Sequence, residues 1–567
     1  MKKKVFACLL AVVMLLGMLV VPAAAKAEGE EPAKEIVILY TSDVHCGVDQ
    51  NIGYAGLARI KAALEAAGKE VILVDSGDSV QGGLVGTLSR GEQVVELMNT
   101  IGYSVATIGN HEFDYGMEQF KKNVDLAKFK YVCCNFLDKD GNQVLDPYTI
   151  VEAAGKKIAF IGIDTPQTYT SSTPTYFQDG EGNRIYSFCE KNEGQDLYNK
   201  VQETVDAARA EGADYVIALA HLGNEFACVP WTSSEVVVNT NGIDAVLDGH
   251  AHEKLDGNNK VKNKDGKEII LTSPGTKLET VGMLTIDPNN QEDPISAVLL
   301  NNNAMTFINA AALIPDDNGV GEAVQAVFAA TEELRNKVVA HTDVDLVVND
   351  PVTGERIVRS QETNLGDLVA DAYRVIGNAD IGVINGGGIR AIIKAGDITF
   401  ANMMEVHPFN NQFCVIKATG QQVLDALELS VSYLPDPGFG GFLQVSGLKF
   451  TIDMNVDSTV ETQGDDKMFV QVTGDYRVKD VQVLQADGTY APLELEKTYT
   501  VAGIDYILKN NGNGYAMFEG CNVLRIGDLL DHEVVINYIV DVLGGSVGTQ
   551  YLEPYGEGRI TFIQKGE

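Results

Sequence analysis

EIVILYTSDVHCG, residues 35–47, is the stretch that decides the fold. Ile36 to Tyr40 are five successive apolar residues, and the run breaks into Thr41-Ser42-Asp43-Val44-His45. Such a run is too short for a buried helix and reads as a buried strand whose far end presents an acid and a histidine. The pattern then recurs at Val71–Val74, Val105–Ile108, Ile158–Ile163, Tyr215–Ala220, Ala245–Leu247 and Ile269–Leu271, each closed by Gly, Asp, Asn or His and spaced by helical stretches. This is an α/β layered domain. Its polar residues gather just past the strands, the edge where loops of such sheets collect ligand groups.

Five short motifs occupy those strand ends: Asp43-Val44-His45, Gly77-Asp78-Ser79, Gly109-Asn110-His111-Glu112, Ala220-His221 and Gly249-His250-Ala251-His252. Singly they are weak, since a lone histidine after a strand is ordinarily a hydrogen-bonded core or surface residue and Gly-Asp-Ser is a turn. Five of the eight histidines fall in them, however. Imidazole, carboxylate and amide oxygen together suit Zn, Mn or Fe, and a pair of such ions clamps the attacking and leaving oxygens of an in-line displacement. Alternation predicts that Asp43 and His45, and likewise His250 and His252, share one side of an extended chain.

The motif series resembles the calcineurin-like metallophosphoesterases. The second half, with ETNLGDL at Glu362–Leu368 and NGGGIR at Asn385–Arg390, resembles the 5'-nucleotidase family, which includes periplasmic UDP-sugar hydrolases. The resemblance implies a four-layer αββα metallophosphoesterase domain over residues 35–310, a linker helix over 316–341, and an α/β substrate-binding domain over 342–565. It implies one divalent ion held by Asp43, His45, Asp78 and His252 and a second held by Asp78, Asn110, His221 and His250, with Asp78 bridging. On that resemblance, a water activated by the ions would attack phosphorus. His111, oriented by Asp114, stabilises charge near the leaving oxygen.

The resemblance assigns substrate recognition to the second half. Arg359 and Arg390 match arginines that grip an anionic group, work suited to a planar guanidinium fork. Asn385 corresponds to a residue near a nucleobase, and Phe409, in His407-Pro408-Phe409-Asn410, to one aromatic face of a base clamp. The second clamp position aligns with Ile507, beside Tyr506, and Asn513 stands where the family has an aspartate for the ribose hydroxyls. Ile507 cannot stack on a ring, so Tyr506, or Phe439 and Phe442, are the candidates to replace it. The leading activity is release of phosphate from nucleoside monophosphates. UDP-sugar hydrolysis, 2',3'-cyclic-nucleotide phosphodiesterase activity, broader phosphomonoesterase activity and a non-catalytic extracellular binding or adhesion role are the alternatives.

Composition sets the outer bounds. At 567 residues the chain exceeds a single core. Its formal charge of −36 excludes a nucleic-acid polymer as partner and leaves small phosphate esters open. Lys2–Lys4, the apolar run Val5–Val21 and the small residues Ala23–Ala25 read as a signal peptide over residues 1–27, with no membrane span after cleavage. That predicts a secreted or cell-envelope protein. The seven remaining cysteines are scattered and odd in number, unlike a disulfide framework.

Overall fold

The computed structural model describes residues 33–302 except 291, and 317–566 except 437 and 464–466; the expected signal segment lies outside the described residues. In the first half, strands Ile36–Thr41, Glu70–Asp75, Val105–Thr107 and Lys130–Val132 pair in parallel, and Val281–Ile286 and Ile295–Leu300 add an antiparallel edge. A second sheet has Lys156–Asp164, Tyr215–His221, Ala245–Leu247 and Glu268–Pro274 as its parallel centre. All seven expected strands form, each end within three residues of its sequence reading.

Period-two alternation assembles the layers. Ile36, Ile38 and Tyr40 meet Phe160, Ile217, Leu219 and Leu247 in one apolar seam between the sheets. Their neighbours Val37 and Leu39 face helices Gly53–Ala66 and Glu92–Ile101 on the outer side. Ala159, Ile161 and Ala218 of the second sheet face helices Gln195–Ala210 and Ser233–Asn239. The result is helix, sheet, sheet, helix. Because the central strands of each sheet run in parallel, their C-terminal ends emerge on one edge, carrying Asp43, Asp78, Asn110, His221 and His250 with them.

The second half is built on a five-stranded mixed sheet ordered Leu443–Ser446, Ile381–Asn385, Thr498–Ile504, Gln412–Thr419 and Asn522–Leu530. Helix Asn364–Ile376 packs on it, and Thr363 caps that helix by accepting the Gly366 N–H at 3.1 Å. Much of the ETNLGDL signature is therefore a helix start.

The segment between the halves differs from expectation. In place of a helix over 316–341 there are helices Val320–Ala329 and Glu332–Arg335, followed by strand Val338–Thr342, which pairs with Gly396–Thr399 and Ser546–Val547. The consecutive valines and Thr342 favour a pleated strand, and sheet partners from distant sequence outweigh the apparent helical spacing.

One buried ion cluster holds the end of the chain to this half. Arg559, 6% exposed, donates to both Asp371 oxygens at 3.0 and 2.9 Å and lies 3.4 Å from Asp367. Burial pushes the Asp367 carboxyl up to about 9 against the pull of Arg559. Arg559→Ala leaves the Asp371 carboxylate, with Asp367 beside it, without its charged partner, and we expect a loss of about 3–5 kcal/mol, read as a lower midpoint in chemical denaturation. A midpoint within error of wild type would mean that the cluster adds nothing.

Candidate active site

Five of the seven candidate ligands sit in left-handed backbone: Asp43 at φ +51°, His45 at +46°, Asp78 at +59°, His250 at +74° and His252 at +58°. Non-glycine residues adopt that region at a cost, and such residues cluster at functional sites. This corrects the reading of Asp43-x-His45 and His250-x-His252 as extended pairs. The side chains converge because tight turns re-aim them, with Asp43 N–H bonded to Gly77 O at 2.9 Å and His45 N–H to Asp78 O at 3.0 Å.

Small residues let the loops close. A Cβ on Gly109 would fall 2.4 Å from Asp78 Oδ1, and one on Gly249 would fall 2.0 Å from Ser42 Oγ. Glu112 ties two of the motifs together. Its carboxylate accepts the N–H groups of Asp78 (2.8 Å), Ser79 (2.9 Å) and Gly109 (2.6 Å). The sequence reading quoted Glu112 but gave it no role.

The donor atoms face one another at short range. His221 Nε2 lies 3.1 Å from Asp78 Oδ2, His45 Nε2 lies 3.1 Å from His252 Nε2, and His252 Nε2 lies 3.4 Å from Asp43 Oδ1. Asn110 Oδ1 and His250 Nδ1 meet at 2.9 Å. Two groups could each hold an ion, Asp43–His45–His252 and Asp43–Asp78–His221. Asp78 Oδ2 reaches toward both, 3.8 Å from His45 Nε2.

A divalent ion fits this set. His221 Nε2 is buried with the Asp78 carboxylate oxygen 3.1 Å away but not in hydrogen-bond geometry, and its other nitrogen, Nδ1, is fixed 2.8 Å from the Ser76 carbonyl. Such second-atom anchoring orients an imidazole ligand. Burial drives His45 and His252 far down and His250 to about 3, so these imidazoles are neutral and keep a lone pair. Burial also raises Asp43 to about 7; at Asp78 the neighbouring histidines outweigh burial and hold the carboxyl far below its ordinary range. Cations at the centre would favour both carboxylates in ionised form.

His111 stands apart from the donors. Its Nδ1 meets Asp114 Oδ2 at 2.6 Å, and Ser172 Oγ donates to the other Asp114 oxygen at 3.1 Å. Burial lowers the imidazole, but Asp114 and Asp78 outweigh it and hold the group above its ordinary value. Its Nε2 is 4.0 Å from Asp78 Oδ2, and the ring borders a cavity of about 430 Å³.

That cavity runs between the two halves of the chain. Asp78, Asn110, His111, Asp114, His250 and His252 line it from one side; Arg359, Asn385, Arg390, Phe409, Tyr506 and Asn513 line it from the other. Arg390 Nη2 comes within 3.3 Å of His45 Nε2. Phe409 lies between His111 (ring centroids 5.4 Å apart) and Arg390 (5.7 Å from the ring).

Some expectations for this half change. Ile507 is 1% exposed in the core and lies off the cavity. Tyr506 is tied down: its hydroxyl donates to Thr170 O at 2.6 Å across the halves, and its ring packs on Gly512. Phe442 is also core, at 1% exposed. Phe439 does border the cavity, stacked on Tyr433 at 4.5 Å. Asn385 donates to Asn513 Oδ1 at 3.1 Å and leaves its own buried Oδ1 unpartnered. Gln167, which no motif marked, reaches His250 Nε2 at 3.1 Å. Arg356, three residues before Arg359, lies in none of the motifs.

Fold and donor set together define a metal-dependent phosphoester hydrolase. Residues 36–254 match the family described as calcineurin-like phosphoesterase, and residues 338–520 match the 5'-nucleotidase C-terminal domain. The chain belongs to the 5'-nucleotidase family, in which these two units are joined. It is similar to a 5'-nucleotidase of Vibrio cholerae, 28% identical over 74% of this chain and 79% of that one. A snake venom 5'-nucleotidase of Gloydius brevicauda is 26% identical over 93% and 89% of the two chains. Among solved structures, a 5'-nucleotidase precursor from Thermus thermophilus superposes with TM-score 0.75 at 26% identity, covering 94% of this chain and all of that one (100%).

Proposed function

We propose that the protein is an exported two-metal phosphohydrolase that releases phosphate from nucleoside 5'-monophosphates. The observation that carries this reading is the shared cavity, with acid and imidazole donors on one wall and arginines with Phe409 on the other. Asp43, His45, Asp78 and His252 would hold one ion and Asp78, Asn110, His221 and His250 the other, with Asp78 common to both. When bound, such ions supply charge neutralisation and water activation at neutral pH.

The chain's own groups do the rest. Arg359 and Arg390 pair with phosphate oxygens through their guanidinium forks. His111, held by Asp114, keeps a proton at Nε2 and gives it to the leaving ester oxygen. Asn385 offers an amide to the base and Phe409 an apolar ring face. Asn513 offers a neutral amide, a weaker partner for ribose hydroxyls than a carboxylate. Export is supported by the leader-like first residues and by similarity to a venom enzyme.

A broader phosphomonoesterase is the second reading, favoured by the burial of Ile507 in the core, which leaves Phe409 without a partner ring at that position. A phosphate-release screen of the mature chain with manganese or zinc separates the two. Nucleoside monophosphates, UDP-glucose, 2',3'-cyclic nucleotides and sugar phosphates form the panel. A preference of at least about tenfold in kcat/KM for nucleoside monophosphates, about 1.4 kcal/mol, is expected. Equal turnover of sugar phosphates would overturn the nucleotide assignment and keep the hydrolase.

Arg390→Ala tests the grip separately. We expect KM for nucleoside monophosphates to rise at least about tenfold, the scale of a lost charge-assisted contact. Unchanged KM would move the phosphate contact elsewhere.

A further inference from the structure

A second cavity, of about 270 Å³, lies on the other side of the metal-ligand cluster. His252 and Arg390 border both cavities, so the candidate centre is open on two sides. The second cavity also sits where the halves meet: His45 and Lys277 come from the first, Arg356, Arg390 and Glu405 from the second, and Arg335 from the segment between.

Its charges are uneven. Of the three acids that border it, Asp49 is paired with Arg335 at 3.7 Å and Glu279 with Lys254. Glu405 alone faces Lys277. Against it stand Lys277, Arg356 and Arg390. The Lys277 ammonium has no hydrogen-bond or ion-pair partner among the described residues. Arg356 spends one Nη on Ile389 O at 2.8 Å and leaves its buried Nε unpartnered. In a chain of formal charge −36, two weakly compensated cations, Lys277 and Arg356, beside Arg390 around one small cavity form a local field opposite to the global one. Buried donors without acceptors are costly, and a compact anion with several oxygens would satisfy them.

We propose that this second cavity is an oxyanion site that takes inorganic phosphate, held chiefly by Lys277 and Arg356, beside the centre that releases it. The space favours an anion of that size over a nucleotide, and Phe328 is the single Phe, Tyr or Trp side chain at its border. The proposal draws on the phosphohydrolase reading for where phosphate comes from; binding itself does not depend on turnover.

Calorimetric titration of the metal-loaded full chain with inorganic phosphate tests it. Two classes of site are expected, one displaced by a non-hydrolysable phosphonate analogue of a nucleoside monophosphate and one retained. Lys277→Met should weaken the retained class at least about tenfold, the scale of one lost contact between charged groups. Glu405→Gln, which removes the opposing carboxylate, should tighten it. A single class of site in the wild type, or a retained class unmoved by both substitutions, overturns the proposal. The source of the ion shows in kinetics. Filling from solution gives phosphate inhibition that ester does not relieve, whereas filling from the centre makes phosphate release lag behind ester cleavage. Two classes of phosphate site without turnover of any ester would leave this site standing and remove the proposed function.

Discussion

Asp78→Ala abolishes phosphate release, by at least about 10³-fold, and the purified variant carries fewer than two ions per chain. The expectation follows from how many groups one carboxylate serves. Asp78 Oδ2 lies 3.1 Å from His221 Nε2 and 3.8 Å from His45 Nε2, and its Oδ1 accepts the His111 N–H at 2.8 Å. It thus belongs to the donor group of Asp43 and His221, reaches toward His45 of the other group, and fixes the strand end that presents His111. Loss of one ion removes several kcal/mol of charge stabilisation at the reacting phosphate, and each 1.36 kcal/mol is a factor of ten in rate. Elemental analysis and steady-state kinetics on one preparation read both effects, with circular dichroism to verify the fold. A folded variant that retains two tightly held ions would refute the bridging assignment and shift attention to Asp43, which belongs to both candidate donor groups.

His111→Asn should separate chemistry from metal binding. We expect kcat to fall by roughly 10²–10⁴-fold, the range for loss of a positioned proton donor, while metal content and KM stay within about a factor of three. The geometry behind this is one-sided. Nδ1 is engaged by Asp114 at 2.6 Å, which leaves Nε2 to face the cavity. Burial opposes the proton on this ring, but Asp114 and Asp78 hold the ring's pKa above its ordinary value. A raised imidazole keeps its proton at low pH and loses it as pH climbs through the folded-state value, so activity should decline on the alkaline side. Asp114→Asn should shift that decline to lower pH and lower kcat less than His111→Asn does. Loss of an ion from His111→Asn would put this ring among the metal ligands instead.

Much of the molecule was legible in its residues. Short, mostly β-branched runs marked seven strands of the first half, because a strand buried on both faces admits little else. The same runs, being parallel, bring their polar ends to one edge, and the motifs at those ends carry the family resemblance that implies the candidate donors. Burial and alternation are local consequences of composition, and they survive translation into three dimensions.

Other features were decided only by the fold. The left-handed turns at Asp43 and His45 rest on hydrogen bonds to a loop more than thirty residues away in sequence, so an extended reading failed there. Glu112 looked like a motif neighbour until its oxygens met three N–H groups from two loops. Val338–Thr342 became strand because Gly396–Thr399 and Ser546–Val547 lie beside it. Ile507 sank into the core while Phe409 reached across to His111. Local patterning determined which residues are candidates for chemistry, since side-chain type and strand period are written in the chain. Long-range packing decided which of them meet, because contacts between residues hundreds apart depend on how the two halves close on each other.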